Sequence, residues 1–300
     1  MTIKAILKRS CCICATAPCV LYRKCLGDTV KKFKTVTYTI HSQKLHNQGF
    51  VIAMLSDLHN VELGEGNANL LQAIEAAHPD MICIAGDLVL GKKAKSVKPA
   101  YGFIKKAVKI APVYYGLGNH EQRMKQYPEV YGKEYRVFEK KIQKLGVTML
   151  ENSSRSLEIK GEPIQITGLA LPEEYYQKGK KIALSLKIMN RLVGKASKDQ
   201  FQILLAHTPR YGDTYLEWGG DLTLSGHYHG GMMRLPLLGG VISPDFKLFP
   251  EYCRGDFIRQ ERHLIVSAGL GEHTLPIRIF NPRELVIITC VPETEKRKEE

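Results

Sequence analysis

Five short segments of this sequence, most of them apolar, are each followed by Asp, Asn or His. The first segment, Phe50–Leu55, is followed by Asp57 and His59. A short run rich in Val, Ile and Leu is typical of a strand that is buried on both faces. Because side chains alternate along an extended chain, positions i and i+2 face the same side. Asp57 and His59 could therefore hold one metal ion where this strand ends.

The same arrangement returns at four later strands. The predicted strands 81–85, 113–115, 201–206 and 221–225 are followed by Asp87, by Asn119 and His120, by His207, and by His227 and His229. Between the first three strands, apolar residues recur at helical spacing over 68–78 and 101–110. Alternating strands and helices are typical of an α/β layered fold, in which the strands end at a common edge where ligands bind. We therefore expect the polar strand ends to lie close together.

The remaining secondary structure is predicted from spacing and turn residues. We predict strands at 35–40, 263–267 and 285–289, a hairpin of 156–159 and 163–167, and helices at 129–145 and 182–193. The polar segment 172–181 is predicted to be a surface loop that could border the active site.

The strand ends together supply seven candidate metal ligands. A set of carboxylates and imidazoles of this size suits two adjacent ions of manganese, iron or zinc better than one structural zinc, and we favour manganese. Asp87, with two carboxylate oxygens, is the natural bridge between the ions. Three of the other residues would hold one ion and three would hold the second: Asp57, His59 and His229, then Asn119, His207 and His227.

Such a pair of ions predicts chemistry at phosphorus. Two divalent ions lie about 3.5–4 Å apart in enzymes that displace a leaving group from phosphorus, where they clamp the phosphoryl oxygens and acidify a shared water. The metal-bound hydroxide is then the nucleophile. His120, next to Asn119, could hydrogen-bond the phosphoryl group or protonate the departing oxygen, since a His can supply a proton near neutral pH.

The joint pattern, and not any one residue, carries this interpretation. A single His is more often an ordinary core or surface residue than a ligand, and Asp57 alone could be a solvated turn residue. Here every candidate ligand follows an independently predicted strand. The remaining histidines are assigned to the ordinary class: His41, His46, His78, His263 and His273.

The net charge bounds the partners of the protein. The 300 residues carry a formal charge of +13, which suits nucleic acid or an anionic membrane surface. The lysines are spread over loops and predicted helix faces, without interleaved aromatic residues or a nucleic-acid-binding signature, so we do not expect nucleic acid. An anionic membrane surface stays open as a partner, and the sequence indicates no obligate protein partner.

The sequence divides into three predicted parts. Residues 34–292 are predicted to form one catalytic domain, and residues 293–300 a charged tail. Residues 1–33 contain basic residues, an apolar stretch too short to span a membrane, and five of the eight cysteines. This segment is typical of a signal-like or interfacial anchor with acylation sites, or of a disordered tail. A Cys₄ zinc site fits less well, because the two C-x₂-C pairs usual for such a site are not both present. The location is left open between membrane-associated, cytoplasmic and exported.

Five sequence blocks resemble the calcineurin-like metallophosphoesterases. They are Ser56-Asp57-Leu58-His59, Gly86-Asp87, Gly118-Asn119-His120-Glu121, His207-Thr208-Pro209 and Gly226-His227-Tyr228-His229, in that order. The resemblance extends over residues 34–291. It implies a four-layer α/β/β/α sandwich with a dinuclear centre, and it supports the ligand and acid roles assigned above.

Within that family, the sequence resembles the bacterial membrane-associated or exported branch. The similarity lies in the segments 229–231, 234–236, 269–271 and 275–278. That branch includes phosphodiesterases and enzymes similar to those that hydrolyse the pyrophosphate of UDP-diacylglucosamine. Arg234 and Arg278 could bind a substrate phosphate through bidentate hydrogen bonds, although a structural salt bridge is an equal alternative for Arg278.

Two positions depart from the family pattern. The protein-phosphatase type carries an acid three residues after its Gly-Asp, and this acid orients the catalytic His, whereas the present sequence has Leu90 there. The orientation of His120 must therefore come from elsewhere, which argues against a protein phosphatase. In the bacterial branch, Gln usually follows the paired glycines, where this sequence has Met232.

The sequence thus predicts a metal-dependent phosphoesterase that acts on a phosphodiester or a pyrophosphate. A lipid-linked substrate is one option, because of the basic surface and the N-terminal segment. Two alternatives remain, a nuclease and a noncatalytic scaffold of the same fold. The complete ligand set with His120 argues against the scaffold, and the absence of nucleic-acid modules argues against the nuclease.

Overall fold

The apolar segments that precede the polar residues form parallel strands in two six-stranded sheets. In a computed structural model of the protein, the described residues are 32–93, 95–179, 182–231, 234–235, 239–241, 248–272 and 278–293. Residues 1–31 of the predicted N-terminal segment and 294–300 of the predicted tail lie outside these ranges, so the three-part division stays a prediction.

Sheet 1 contains the first three of these segments. Its strands are β1 (Phe33–Ser42), β2 (Phe50–Leu55), β3 (Met81–Ala85), β4 (Val113–Gly116), β5 (Thr148–Leu150) and β14 (Arg283–Pro292). Their order across the sheet is β1, β14, β2, β3, β4, β5. Strands β2 to β5 are parallel to one another, whereas β14 is antiparallel to β2. The carboxyl ends of β2, β3 and β4 therefore lie side by side.

Sheet 2 contains the last two segments. Its strands are β6 (Ser153–Ile159), β7 (Glu162–Leu169), β8 (Phe201–Ala206), β9 (Leu222–Ser225), β12 (Gly255–Arg259) and β13 (Arg262–Val266). Their order across the sheet is β12, β13, β9, β8, β7, β6, with antiparallel pairing only at the two edges. Two short strands, β10 (Arg234–Leu235) and β11 (Gly239–Gly240), form a separate ribbon.

Helices cover the outer face of each sheet, which produces the four-layer α/β/β/α sandwich expected from the resemblance. Sheet 1 packs against α1 (Ala68–Ala76), α2 (Lys98–Ala107) and α5 (Glu134–Lys144). Sheet 2 packs against α6 (Leu186–Val193) and α7 (Gly212–Trp218). Two further helices, α3 (Asn119–Gln126) and α4 (Pro128–Tyr131), follow β4.

Strand β2 shows why the central segments are apolar throughout. Ala53 and Leu55 belong to the core between sheet 1 and its helices, whereas Ile52 and Met54 belong to the core between the two sheets. All four side chains are buried. A strand that is covered on both faces favours apolar residues at nearly every position.

The helix predicted over 129–145 is wrong in its extent. Two helices, α4 and α5, occupy this region, and Gly132 separates them with a φ of 78°, a conformation that favours glycine. Val130, expected on the apolar face, is 40% exposed. Phe138 and Ile142 are buried as expected.

The predicted hairpin is confirmed, and four short elements were missed. β6 and β7 pair in antiparallel register around Lys160 and Gly161, which have φ of 52° and 80°, as in the two-residue turns favoured by hairpins. The predicted helix 182–193 begins only at Leu186. The elements β5, α3, β12 and α7 were not predicted, because short segments carry little periodic signal.

Candidate metal centre

The candidate ligands lie after the carboxyl ends of five neighbouring strands. Sheet 1 contributes four of them and sheet 2 contributes three: Asp57 and His59 after β2, Asp87 after β3, Asn119 after β4, His207 after β8, and His227 and His229 after β9. Because these strands are parallel within each sheet, their carboxyl ends meet at one edge. The fold therefore brings together seven residues that are distant in the sequence.

One group of ligand atoms comes from Asp57, His59 and His229, and these atoms all lie within 4.8 Å of one another. His229 Nε2 is 3.3 Å from His59 Nε2 and 3.4 Å from Asp57 Oδ1. Two atoms bound at right angles, each about 2.1 Å from a common ion, are about 3 Å apart. The observed spacings fit a single cation, and these are the residues that the sequence assigned to one ion.

A second group comes from Asp87, His207 and His227, whose ligand atoms also lie within 4.8 Å of one another. Asp87 Oδ2 is 3.1 Å from His207 Nε2. The same oxygen is 3.9 Å from Nε2 of His59 in the first group. Asp87 therefore lies between the two groups, and its role as a bridge stays a prediction.

Asn119 provides a test of whether a cation fits beside the second group. Its side-chain oxygen is buried, and no residue in the described ranges provides it with a hydrogen-bond partner. Leaving a buried carbonyl oxygen unpaired is costly, and amide oxygens are suitable ligands for manganese. Asn119 lines the same cavity as Asp87 and His227. This donor set fits a divalent ion.

The backbone turns sharply where the strands end. Asp57, His59, Asp87, His227 and His229 all have φ between 49° and 65°. Left-handed backbone costs on the order of 1–3 kcal/mol at residues other than glycine, and it is concentrated at functional sites. Five such residues at one sheet edge indicate that interactions of their side chains offset this conformational cost.

Glycines allow the loops after β3 and β4 to approach each other. A Cβ atom on Gly118 would overlap Oδ1 of Asp87. A Cβ atom on Gly86 would lie 2.6 Å from both the Gly118 nitrogen and His207 Nδ1. A side chain at either position would therefore displace the candidate ligands.

Backbone N–H groups orient both buried carboxylates. The His227 N–H donates to the two oxygens of Asp57 at 3.1 and 3.0 Å. The His120 N–H donates to Oδ1 of Asp87 at 2.9 Å. Oδ2 of Asp87 is then left facing the imidazoles, including His207.

Glu121 links the loops after β3 and β4 through hydrogen bonds. Its carboxylate accepts hydrogen bonds from the backbone N–H groups of Asp87, Val89 and Gly118 at 2.9, 3.1 and 2.9 Å. The Tyr115 hydroxyl donates a fourth bond at 2.7 Å. Burial and the nearby Asp87 charge raise the pKa of Glu121 to about 7. Glu121 is not one of the candidate metal ligands, so we regard it as a residue that positions the two loops.

The backbone of Gly91 orients His120. Leu90 stands where protein phosphatases carry the orienting acid, so the backbone takes over this role. The Gly91 N–H donates to Nδ1 of His120 at 2.7 Å. Because Nδ1 is an acceptor in this bond, the proton of the neutral ring lies on Nε2. That nitrogen lies on the side of Asp87, 3.9 Å from Oδ2. Burial lowers the pKa of His120 to about 3, although Asp87 opposes this shift.

The buried carboxylates of Asp57 and Asp87 favour positive charge in the centre. Burial favours a higher pKa for Asp87, but His207, His120 and His59 hold its pKa well below the ordinary value. Burial favours a lower pKa for His207, but Asp87 and Asp57 outweigh it and raise the pKa to about 10. Burial lowers the pKa of His59. A metal ion that bound His207 would take the place of a proton on this ring.

The centre opens into a cavity of about 580 Å³, a size typical of small-molecule sites. The predicted loop 172–181 borders it, with Glu173, Tyr176, Gln177 and Lys178 in its lining, and residues 180–181 lie outside the described ranges. The Tyr176 ring packs 5.4 Å from the His227 ring. Arg123 also lines the cavity and was not predicted from the sequence. The available signal was its position four residues after Asn119, which places both residues on one face of α3.

The two arginines singled out in the sequence have different surroundings. Arg234 does not occur among the described residues that line the cavity, and its NH1 donates to the Gly230 carbonyl at 3.1 Å. Arg278 donates to the carbonyls of Ala268 and Gly271 at 2.9 and 2.8 Å. These bonds give Arg278 structural partners, and the phosphate-binding roles of Arg278 and Arg234 stay predictions.

The region that contains these motifs is similar to known proteins. Residues 50–231 match the calcineurin-like phosphoesterase family. A Caenorhabditis elegans protein that carries the name metallophosphoesterase is 29% identical over 256 residues, which cover 81% of this chain and 49% of the nematode protein. The chain thus spans about half the length of that relative.

Two bacterial relatives are matched over most of their length. Phosphodiesterase YaeI of Escherichia coli is 25% identical over 80% of this chain and 82% of the relative. UDP-2,3-diacylglucosamine pyrophosphatase LpxG of Chlamydia muridarum is 22% identical over 89% of this chain and 92% of the relative. The four-layer sandwich and the candidate metal centre define a metal-dependent phosphoesterase domain. The chain belongs to the calcineurin-like phosphoesterase family.

The Glu121 network generates a stability prediction. Glu121→Ala removes the acceptor of four hydrogen bonds, three of them from backbone N–H groups. We expect the free energy of unfolding in urea to fall by about 2–4 kcal/mol, and the affinity for manganese measured by calorimetry to fall with it. Glu129→Ala, at an exposed position of α4, is the control and should unfold at the unchanged urea concentration. An unchanged midpoint for Glu121→Ala would show that the loops hold without this carboxylate.

Proposed function

We propose that this protein hydrolyses a phosphodiester or a pyrophosphate at a centre of two divalent metal ions, with manganese as the preferred ion. The observation that carries the proposal is the meeting of Asp57 and Asp87 with four imidazoles at one sheet edge. When bound, two such ions polarise phosphoryl oxygens and acidify water. The protein residues would bind the ions and hold the substrate in one orientation.

Two of the three groups of ligand atoms have no residue in common, which supports two ions rather than one; the third group, His59, Asp87 and His120, overlaps both. Asp57, His59 and His229 would hold the first ion. His207, His227 and the orphaned Asn119 oxygen would hold the second. Asp87 would serve both, because its Oδ2 is within 3.9 Å of imidazoles from each group.

His120 would act as a hydrogen-bond donor through Nε2. The Gly91 N–H occupies Nδ1, so that protonation of the ring would break this bond. A neutral ring that lost its remaining proton would become an imidazolate, which is strongly unfavourable. Of the two roles considered from the sequence, contact with a phosphoryl oxygen therefore fits better than full proton transfer to the leaving group.

A lipid-linked phosphate is a specific candidate for the substrate. Ile279 and Phe280 are 43% and 74% exposed. They lie between Arg278, which contacts Nδ1 of His229, and Asn281, which donates to the His229 carbonyl at 2.6 Å. Exposed apolar side chains beside a site suit a lipid surface. The name of the Chlamydia muridarum relative supports the same substrate class.

The structure bears on membrane association in one further respect. No helix in the described ranges is long and apolar enough to cross a membrane. The basic charge of +13 supports attraction to an anionic lipid surface, and a phosphate-ester substrate is itself anionic.

A substrate panel tests the proposed function. With manganese present, we expect hydrolysis of bis-p-nitrophenyl phosphate or of UDP-2,3-diacylglucosamine to exceed that of p-nitrophenyl phosphate, and a chelator to abolish all three activities. Single-stranded and double-stranded DNA test the nuclease alternative, and rapid cleavage of either would favour it. No turnover of any substrate by protein with two bound ions would support the noncatalytic scaffold.

The role of His120 is tested by varying the leaving group. For His120→Ala we expect manganese content to stay unchanged and kcat to fall about 10²-fold to 10³-fold. The loss should be similar for aryl phosphodiesters whose leaving phenols differ in pKa, because the contact is to a phosphoryl oxygen. A loss that grows steadily as the phenol becomes a poorer leaving group would instead identify His120 as the proton donor. His78→Ala, at an exposed position, is the control.

A further inference from the structure

The helix that begins at Asn119 carries a cationic side chain into the cavity one turn later. Asn119 and Arg123 are four residues apart on α3, so they lie on the same face of the helix, and both line the cavity. Four residues advance an α-helix by about 6 Å. Glu121 and Met124 form the opposite, buried face.

Arg123 has an unmet hydrogen-bonding requirement. Its Nε atom is buried, and within the described ranges no acceptor is bonded to it. Buried guanidinium donors in folded proteins are normally paired, because leaving one unpaired costs free energy. An arginine in this condition at the wall of a cavity indicates that an anionic group of a ligand completes its bonding.

Two acidic residues of the cavity wall, Glu173 and Glu272, are bonded to residues other than Arg123. Glu173 accepts a hydrogen bond from the Tyr127 hydroxyl at 2.7 Å. Glu272 forms an ion pair with Arg283. Among the described ion pairs, none includes Arg123, so its charge is available to a substrate.

We propose that Arg123 forms a subsite for a second, non-reacting phosphate of the substrate, which makes a pyrophosphate the preferred substrate class. The inference rests on the proposed function. Asn119 and His120 lie where the reacting phosphoryl group would bind, and Arg123 lies one helical turn beyond them. A diester has only one phosphate, whereas a pyrophosphate places an adjacent negative charge within reach of this turn.

The same position suits the departing group in the reaction. Water adds its oxygen to one phosphorus, and the bond from that phosphorus to the bridging oxygen breaks. The electron pair of this bond passes to the leaving phosphate, and the protons of the water go to the two phosphate products or to solvent. The fixed positive charge of Arg123 offsets the charge that accumulates on the leaving phosphate.

Two thymidine substrates that differ in the second phosphate test the proposal with the manganese-loaded protein. One is the p-nitrophenyl ester of thymidine 5′-phosphate, and the other is the dinucleoside pyrophosphate of thymidine. We expect Arg123→Ala to lower kcat/KM for the pyrophosphate about tenfold to a hundredfold more than for the ester, and Arg123→Lys to recover part of the difference. Arg136→Ala, at an exposed position of α5, is the matched control and should change neither value.

Three outcomes would overturn the subsite. They are equal losses with the two substrates, no loss with either, and hydrolysis by the unmodified protein of the ester but not of the pyrophosphate. Binding of imidodiphosphate, measured by calorimetry, keeps the test independent of turnover. We expect its affinity to fall at least tenfold in Arg123→Ala, with inorganic phosphate affected less. The proposed function fails separately, through the absence of turnover in its own substrate panel, whereas an unchanged imidodiphosphate affinity in Arg123→Ala would refute the subsite alone.

Discussion

The structure depends on the burial of two carboxylates at the edge where its sheets end. Asp57 is fully buried and Asp87 is 2% exposed. Burying unpaired charges is costly, so such groups in proteins are paired, hydrogen-bonded or bound to metal. In this protein, backbone N–H groups and imidazoles surround both carboxylates. The strained loops and the obligatory glycines are consequences of bringing these donors into place.

The centre also joins the two halves of the fold. The first candidate group combines residues from β2 of sheet 1 with His229 from sheet 2, and the second combines Asp87 with His207 and His227. An ion bound by either group would link the sheets to each other at their carboxyl edge. Since a ligand that binds only the folded state stabilises it by mass action, metal binding and folding should be coupled. Glu121, buried beneath the loops, positions one side of this arrangement without contacting the proposed ions.

The sequence predicted the elements whose residues are constrained on every side. The strands β2 and β3 of sheet 1 are continuous apolar runs because both faces are covered, and the motifs that follow the ligand-delivering strands are specific. Helix α3 was missed because Met124 is the sole apolar residue in its eight positions; its other side chains serve the cavity or the Glu121 network. The orientation of His120 could not be predicted, since Gly91 acts through its backbone N–H and leaves no side-chain signal. The break at Gly132 was overlooked because apolar periodicity continues across it.

The central claim is that the cluster binds two ions that share Asp87. The most direct measurement is anomalous diffraction at the manganese edge from crystals of the protein grown with manganese. The account predicts two anomalous peaks about 3.5–4 Å apart, with Asp87 between them and Asn119 beside the second. A single peak, or two peaks with Asp87 bound to only one of them, would contradict it.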